Sequence, residues 1–157
     1  MNILFVCLGN ICRSPMAEGI LKKIFREKAL KGKVESAGFE SFHINEPPDP
    51  RAVQVAANHG IDISKKQARL FRKVDFDHFD HIYVMDTQNM NDVKDLARKE
   101  VDLQKIDYLM NVIEPGSNKV IPDPYLSGIE DCEKVFELME KACQKIAEKA
   151  LLYAANN

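Results

Sequence analysis

The stretch Ile3-Leu4-Phe5-Val6-Cys7-Leu8-Gly9-Asn10-Ile11-Cys12-Arg13-Ser14-Pro15 decides how this chain is read. Ile3 to Val6 is continuous, apolar and partly β-branched, the pattern of a strand buried on both faces. Gly9 and Asn10 follow, residue types that accept a tight or left-handed backbone. Ser14 is a favoured helix N-cap and Pro15 suits the first helical position, so a helix is expected to start there. A strand feeding a loop that feeds a helix N-terminus directs unpaired N–H groups and the positive end of the dipole at the loop, which makes an anion site.

Chemistry enters with Cys7 at the start of the loop and Arg13 at its end, a Cys-x5-Arg spacing. A thiol among converging amides, a helix N-terminus and a guanidinium is favoured as the thiolate, the nucleophilic form. The planar fork of Arg13 can hold two oxygens of a tetrahedral oxyanion at once, which an ammonium cannot. The spacing alone arises by chance and would describe a structural cysteine near a surface arginine. Its coincidence with strand, Gly-Asn loop and helix start points to function. No Gly-Lys-Ser/Thr closes the loop, which excludes a Walker nucleotide site.

Val6-Cys7-Leu8-Gly9-Asn10-Ile11-Cys12-Arg13-Ser14-Pro15-Met16-Ala17-Glu18 resembles the signature loop of the low-molecular-weight protein tyrosine phosphatases. Further stretches match that family: Pro48-Asp49-Pro50-Arg51-Ala52, His59-Gly60-Ile61-Asp62-Ile63-Ser64, Ala68-Arg69, Asp75-Phe76, Met85-Asp86 and Asp123-Pro124-Tyr125. The resemblance therefore covers essentially residues 1–157, and the cysteine loop and Asp-Pro-Tyr are its specific motifs.

Length and composition bound the alternatives. With 157 residues one domain is expected, large enough to bury a core. A net charge of −2 gives no electrostatic case for nucleic acid. No apolar run approaches ~20 residues, and the N-terminus lacks the basic and apolar regions of a signal peptide, so no membrane span and a cytoplasmic location are expected. Cys7 and Cys12 share a loop, while Cys132 and Cys143 fall in one C-terminal helical stretch; this is no disulfide framework. His43, His59, His78 and His81 have no metal-ligand spacing with the cysteines, and neither a metal nor another cofactor is expected. His59, just before Gly60, reads as a helix C-terminal residue facing the dipole.

Strands are expected at 3–6, 34–37, 81–85 and 106–110. Helices are expected at 15–31, from Pro50 to Gly60 with Asp49 as cap, at 88–99 and at 130–155, with a helical turn at 75–80 and an ambiguous basic stretch at 65–73. Such alternation implies an α/β fold with a parallel sheet covered on both faces, and ligands beyond the carboxyl ends of the strands. The resemblance adds the flavodoxin-like strand order 2-1-3-4.

Displacing phosphate from a phenol requires a proton donor for the leaving oxygen. Pro122-Asp123-Pro124-Tyr125 offers Asp123 in a segment stiffened by two prolines. Alone it reads as a surface turn; it resembles the family's general-acid loop, which implies that Asp123 protonates the tyrosine oxygen and then activates water. The resemblance further implies that the amides of Leu8, Gly9, Asn10, Ile11, Cys12 and Arg13 bind phosphate, that Ser14 stabilises the Cys7 thiolate, and that a left-handed Asn10 bonded to Ser36 shapes the loop. It also implies a pocket walled by Ile11, Phe42 and Tyr125, where tyrosine-directed members have Ile and arginine phosphatases have Thr at position 11. Two departures bear on specificity: Leu126 replaces a second tyrosine, and Lys66 stands near a position where many members have His.

An arsenate reductase on the same frame needs further cysteines near the third strand, and none lies between Cys12 and Cys132. Cys12 instead suggests a partner that captures oxidised Cys7 as a disulfide. A plain anion-binding module would need the amides and Arg13 but neither Cys7 nor Asp123. The expected substrate is a phosphotyrosine protein or small aryl phosphate, with inorganic phosphate as product.

Overall fold

A computed structural model describes residues 1–157 except Leu126, so the Leu126 departure lies outside the described residues. Four strands, β1 (Ile3–Val6), β2 (Val34–Ala37), β3 (His81–Val84) and β4 (Ile106–Tyr108), form one parallel sheet in the order β2-β1-β3-β4. β1 is central, with Ile3 opposite Val34 on one side and His81 on the other. The expected order and class are both present.

Alternation along β1 shows why its run is unbroken by polar residues. Ile3 and Phe5 enter one apolar layer, and Leu4 and Val6 the other. The first layer packs α1 (Arg13–Glu27), α2 (Pro50–Asn58) and α6 (Ile129–Ala155) against the sheet through Met16, Leu21, Phe136, Met139 and Ile146. The second gathers Phe71, Phe76 of the short helix α3 (Asp75–His78), and Met90 and Val93 of α4 (Thr87–Leu96). Each fully buried side chain of this size contributes roughly 1.5–3 kcal/mol relative to exposure. Among the described residues no helix is long and apolar enough to cross a membrane.

Several boundaries differ from expectation. α1 begins at Arg13, with Cys12 at the cap position and no capping side chain. Ser14 is therefore not a cap; its hydroxyl is committed to Cys7 instead. α1 also stops at Glu27 rather than Lys31, because Ala29 turns left-handed at φ 51° and Leu30 N–H returns to the Phe25 carbonyl. The helix expected over 88–99 is α4, which ends at Leu96; a separate short helix, α5 (Glu100–Gln104), follows it, and β4 passes after Tyr108 into a 3-10 turn at Leu109–Val112. Asp49 caps α2 as expected, its carboxylate accepting from Arg51 N–H. His59 does end α2, but its ring pairs with Glu133 at 2.5 Å and stacks on Phe136. Its partner is α6, not the dipole alone.

Candidate active site

β1 delivers Cys7 at its carboxyl end, and residues 8–12 curl from there into the first turn of α1. Close approach of β2 shapes this curl. Phe39 N–H and Glu40 N–H both donate to the Leu8 carbonyl, at 2.7 and 3.2 Å. A Cβ on Gly38 would lie 2.8 Å from Asn10 N and from Leu8 O, so the approach requires glycine. Asn10 is left-handed, with φ 55°. Its side-chain oxygen accepts from Arg69 N–H at 3.0 Å. Its amide nitrogen donates to Ser14 Oγ at 2.8 Å and to Ser36 Oγ at 2.9 Å.

These donations orient the rest of the chain of bonds. The Asn10 amide hydrogen already enters Ser14 Oγ, so the Ser14 hydroxyl hydrogen is available to Cys7 Sγ, 2.9 Å away. A thiolate accepts that bond and is stabilised by it. Ser36 in turn donates to Glu18 Oε1 at 2.6 Å. Lys66 donates to the Ser36 carbonyl at 3.0 Å and lies 3.2 Å from Glu18 Oε1. It thus answers a carboxylate as a cation and never needs to accept a bond. Burial opposes charge on Glu18, but Lys66, Lys22 and the Ser36 hydroxyl outweigh it and hold its pKa below the usual carboxylate value. Burial lowers the pKa of Lys66, partly offset by Glu18.

Arg13 is 2% exposed and is held from two directions. Its NH1 donates to Asp86 Oδ2 and to the Ile121 carbonyl, both at 2.8 Å, while NH2 lies 3.5 Å from Asp123 Oδ2. Burial works against its charge, yet Cys7, Asp86 and Asp123 together raise its pKa above the ordinary guanidinium value. Asp86 is fixed as well, because it caps α4 in a reciprocal pair with Asn89.

The loop floors a cavity of about 340 Å³. Ile11, Phe42 and Tyr125 line it, and so do Glu40, His43 and Asp123. Phe42 is 70% and Tyr125 43% exposed, in contrast to the floor. The structure therefore brings together every expected site residue: Cys7 through Arg13, the supporting Ser14 and Ser36, and the wall. Cys12 also lines the cavity, while its sulfur lies 3.9 Å from that of Cys132.

Four participants had no assigned part in the sequence reading. Asp86 and the Ile121 carbonyl hold Arg13 from 73 and 108 residues away. Glu18 extends the bonded chain, and Arg51 donates to the carbonyls of Tyr125 and Ser127 with its guanidinium 5.9 Å from the Tyr125 ring centroid. Glu18, Arg51 and Asp86 fall in the stretches that match the family, but nothing local in the sequence indicates these contacts; the capping pair Asp86 and Asn89 marks a helix start, not an arginine partner.

A family model described as low molecular weight phosphotyrosine protein phosphatase matches residues 2–154. The chain is 35% identical over 148 residues to the low molecular weight protein-tyrosine-phosphatase YfkJ of Bacillus subtilis, covering 93% of each. It is similar to the crystal structure of a protein tyrosine phosphatase from Entamoeba histolytica, with TM-score 0.89, 33% identity and coverage of 100% and 99%. It is also similar to a drosophila arginine phosphatase, with TM-score 0.87, 31% identity and coverage of 95% and 97%.

Proposed function

The chain belongs to the low molecular weight phosphotyrosine protein phosphatases, and from that premise we propose that Cys7, Arg13 and Asp123 hydrolyse aryl phosphate monoesters in two steps. Cys7 attacks phosphorus and forms a phosphocysteine while the Cys7 sulfur keeps its bond from Ser14. The amides of residues 8–13 and the Arg13 fork hold the three equatorial oxygens as charge moves onto them. Asp123, in the cavity lining with Oδ2 3.5 Å from Arg13 NH2, gives its proton to the phenolic oxygen; its side chain is 43% exposed, so water reaches it between steps. The same carboxylate then takes a proton from the water that attacks the phosphocysteine, and Cys7 leaves as a thiolate.

The observation that carries this reading is the single bonded chain from Glu18 through Ser36, Asn10 and Ser14 to the Cys7 sulfur. An anion-binding loop has no use for a hydroxyl aimed at a thiol. Depth and apolar walls favour an aromatic ester, because Ile11, Phe42 and Tyr125 can flank a ring whereas a serine phosphate would fall short of the loop. Phosphoarginine is the second reading. Glu40 on the wall offers a guanidinium a carboxylate, and the likeness to an arginine phosphatase gives it weight.

The test is release of p-nitrophenol from its phosphate ester in EDTA by wild type and Cys7→Ser, with phosphoarginine assayed beside it. Loss of roughly 10⁴-fold or more in kcat for Cys7→Ser supports the mechanism. Normal rates in that variant would overturn it. Turnover of phosphoarginine far above aryl phosphate would transfer the substrate assignment to the second reading.

A further inference from the structure

Cys132 is the fourth residue of α6, and its sulfur lies against that of Cys12 at 3.9 Å, although 120 residues separate them. Both cysteines are free thiols in this structure. Closing that gap to a disulfide of about 2.05 Å requires a sulfur displacement of about 2 Å. One thiol donates to the other, and the direction is set by surroundings. Donation from Cys12 lowers the Cys132 pKa against the opposing effect of burial, and the nearby Arg51 guanidinium lowers it too. Donation to Cys132, burial and the negative charges of Cys132, Cys7 and Asp123 all raise that of Cys12. Cys132 is therefore the better thiolate of the reduced pair; once Cys12 is oxidised and has no hydrogen to donate, the Arg51 guanidinium and the first turn of the helix, where a negative charge is favoured, still support its charge.

Access separates the three sulfurs. Cys7 and Cys12 line the cavity, whereas Cys132 is 2% exposed and is not part of the cavity wall. An oxidant can enter at Cys7, and Cys12 links the cavity to the buried Cys132. We propose that Cys132 is a terminal resolving thiol, so that oxidation of Cys7 by a peroxide ends in a Cys12–Cys132 disulfide with Cys7 returned as a thiol. The inference rests on Cys7 being the reactive thiolate, as in the function proposed above, and goes beyond it.

The steps balance. The Cys7 thiolate attacks one peroxide oxygen, the O–O bond breaks, and Cys7 sulfenic acid and water form after protonation. Cys12 attacks the sulfenic sulfur, a Cys7–Cys12 disulfide forms and the second water departs. The Cys132 thiolate then attacks Cys12 Sγ, the Cys7–Cys12 bond breaks, and its electron pair leaves with Cys7. In sum one peroxide and two thiols yield one disulfide and two waters. The oxidising equivalents end away from the nucleophile, which returns as a thiol able to react again.

The experiment treats the reduced protein with one equivalent of hydrogen peroxide, quenches in acid, labels thiols with N-ethylmaleimide under denaturing conditions and maps tryptic peptides without reductant. Trypsin releases residues 1–13, carrying both Cys7 and Cys12, and residues 120–134, carrying Cys132. The expected product joins those two peptides, with a single label located by fragmentation on Cys7. Cys132→Ser and Cys132→Ala are both expected to hydrolyse p-nitrophenyl phosphate normally when reduced. After peroxide they should hold an internal disulfide within residues 1–13, and with excess peroxide accumulate severalfold less Cys7 sulfinic acid than wild type, whose released Cys7 no longer has Cys12 to capture it. An internal 1–13 disulfide in wild type with Cys132 labelled would overturn the inference, as would equal overoxidation of wild type and variants. Either result leaves the phosphatase reading standing if hydrolysis still depends on Cys7; the reverse pattern, normal hydrolysis by Cys7→Ser, strikes that reading instead.

Discussion

The floor and the rim of the cavity are built by opposite rules. On the floor Asn10, Arg13, Ser14 and Ser36 are all buried; Asn10, Ser14 and Ser36 are bonded to named partners, and Arg13 is anchored through NH1. At the rim Phe42 stands exposed in a 3-10 turn (Ser41–His43) and Tyr125 in a loop, with His43 against the Phe42 ring and Glu40 and Glu46 within reach of His43. A buried polar network is costly to disturb because each lost partner leaves a desolvated group unpaired. An exposed aromatic loses little when trimmed, and gains mainly when a ligand covers it. In the proposed mechanism the floor thus determines what reaction occurs, and the rim which ester reaches it.

Breaking the floor should therefore have the larger consequence. Asp123→Asn is expected to lower kcat about 10²–10⁴-fold with phenyl phosphate as substrate. The loss should be smaller with p-nitrophenyl phosphate, whose leaving group needs less help, and inhibition by inorganic phosphate should be unchanged. Arg13→Lys should lower kcat/KM by roughly 10²–10³-fold, since one ammonium cannot serve Asp86, the Ile121 carbonyl and two phosphate oxygens together. A drop of less than tenfold would show that the loop amides alone carry the transition-state charge.

Asn10 allows backbone and side chain to be separated. Asn10→Ala retains a Cβ at φ 55° and loses both donated bonds, whereas Asn10→Gly loses the bonds only. Both should lose about tenfold in kcat, about 1.4 kcal/mol of support to the Ser14–Cys7 contact. The alanine variant should also melt at lower temperature than the glycine variant, as read by calorimetry. At the rim, Phe42→Ala should raise KM by about 2- to 12-fold for aryl esters, equivalent to roughly 0.5–1.5 kcal/mol of aromatic contact, and leave kcat alone. A fall in kcat instead would make Phe42 part of the floor.

The smallest effect is on stability against pH. The Glu18 pKa is below its ordinary 4.5, so its contribution is complete above that pH and is lost as pH falls through the depressed value. Lys66 acts in the alkaline range: with its pKa below 10.5, the unfolded chain binds the proton more tightly, and its contribution rises with pH through that window. Glu18→Gln should accordingly show a shallower loss of melting temperature on acidification than wild type, measured by thermal unfolding from pH 6 to about 3.

Local chemistry along the sequence determined a good deal of this. The apolar run Ile3–Val6, the Gly-Asn loop, Asp49 before Pro50 and the stripe of α6 specify their elements through short-range sterics and periodicity, and they appear where expected. Cys7, Arg13 and Asp123 were legible as a candidate site because each belongs to a contiguous motif. Ser14 shows the limit of propensity: read as a cap, it instead contacts Cys7, the partner that the resemblance implied. The end of α1 shows it again, since Ala29 adopts a conformation its residue type disfavours so that Leu30 can close the helix. What only tertiary structure decided are the partners brought in from afar: Asp86 and Ile121 on Arg13, Lys66 on Glu18, and Cys132 on Cys12. The physical reason is common to all of them. A hydrogen bond or a sulfur contact acts over about 3–4 Å and leaves no periodic trace in the chain, whereas burying both faces of a four-stranded sheet sets which distant residues share that distance.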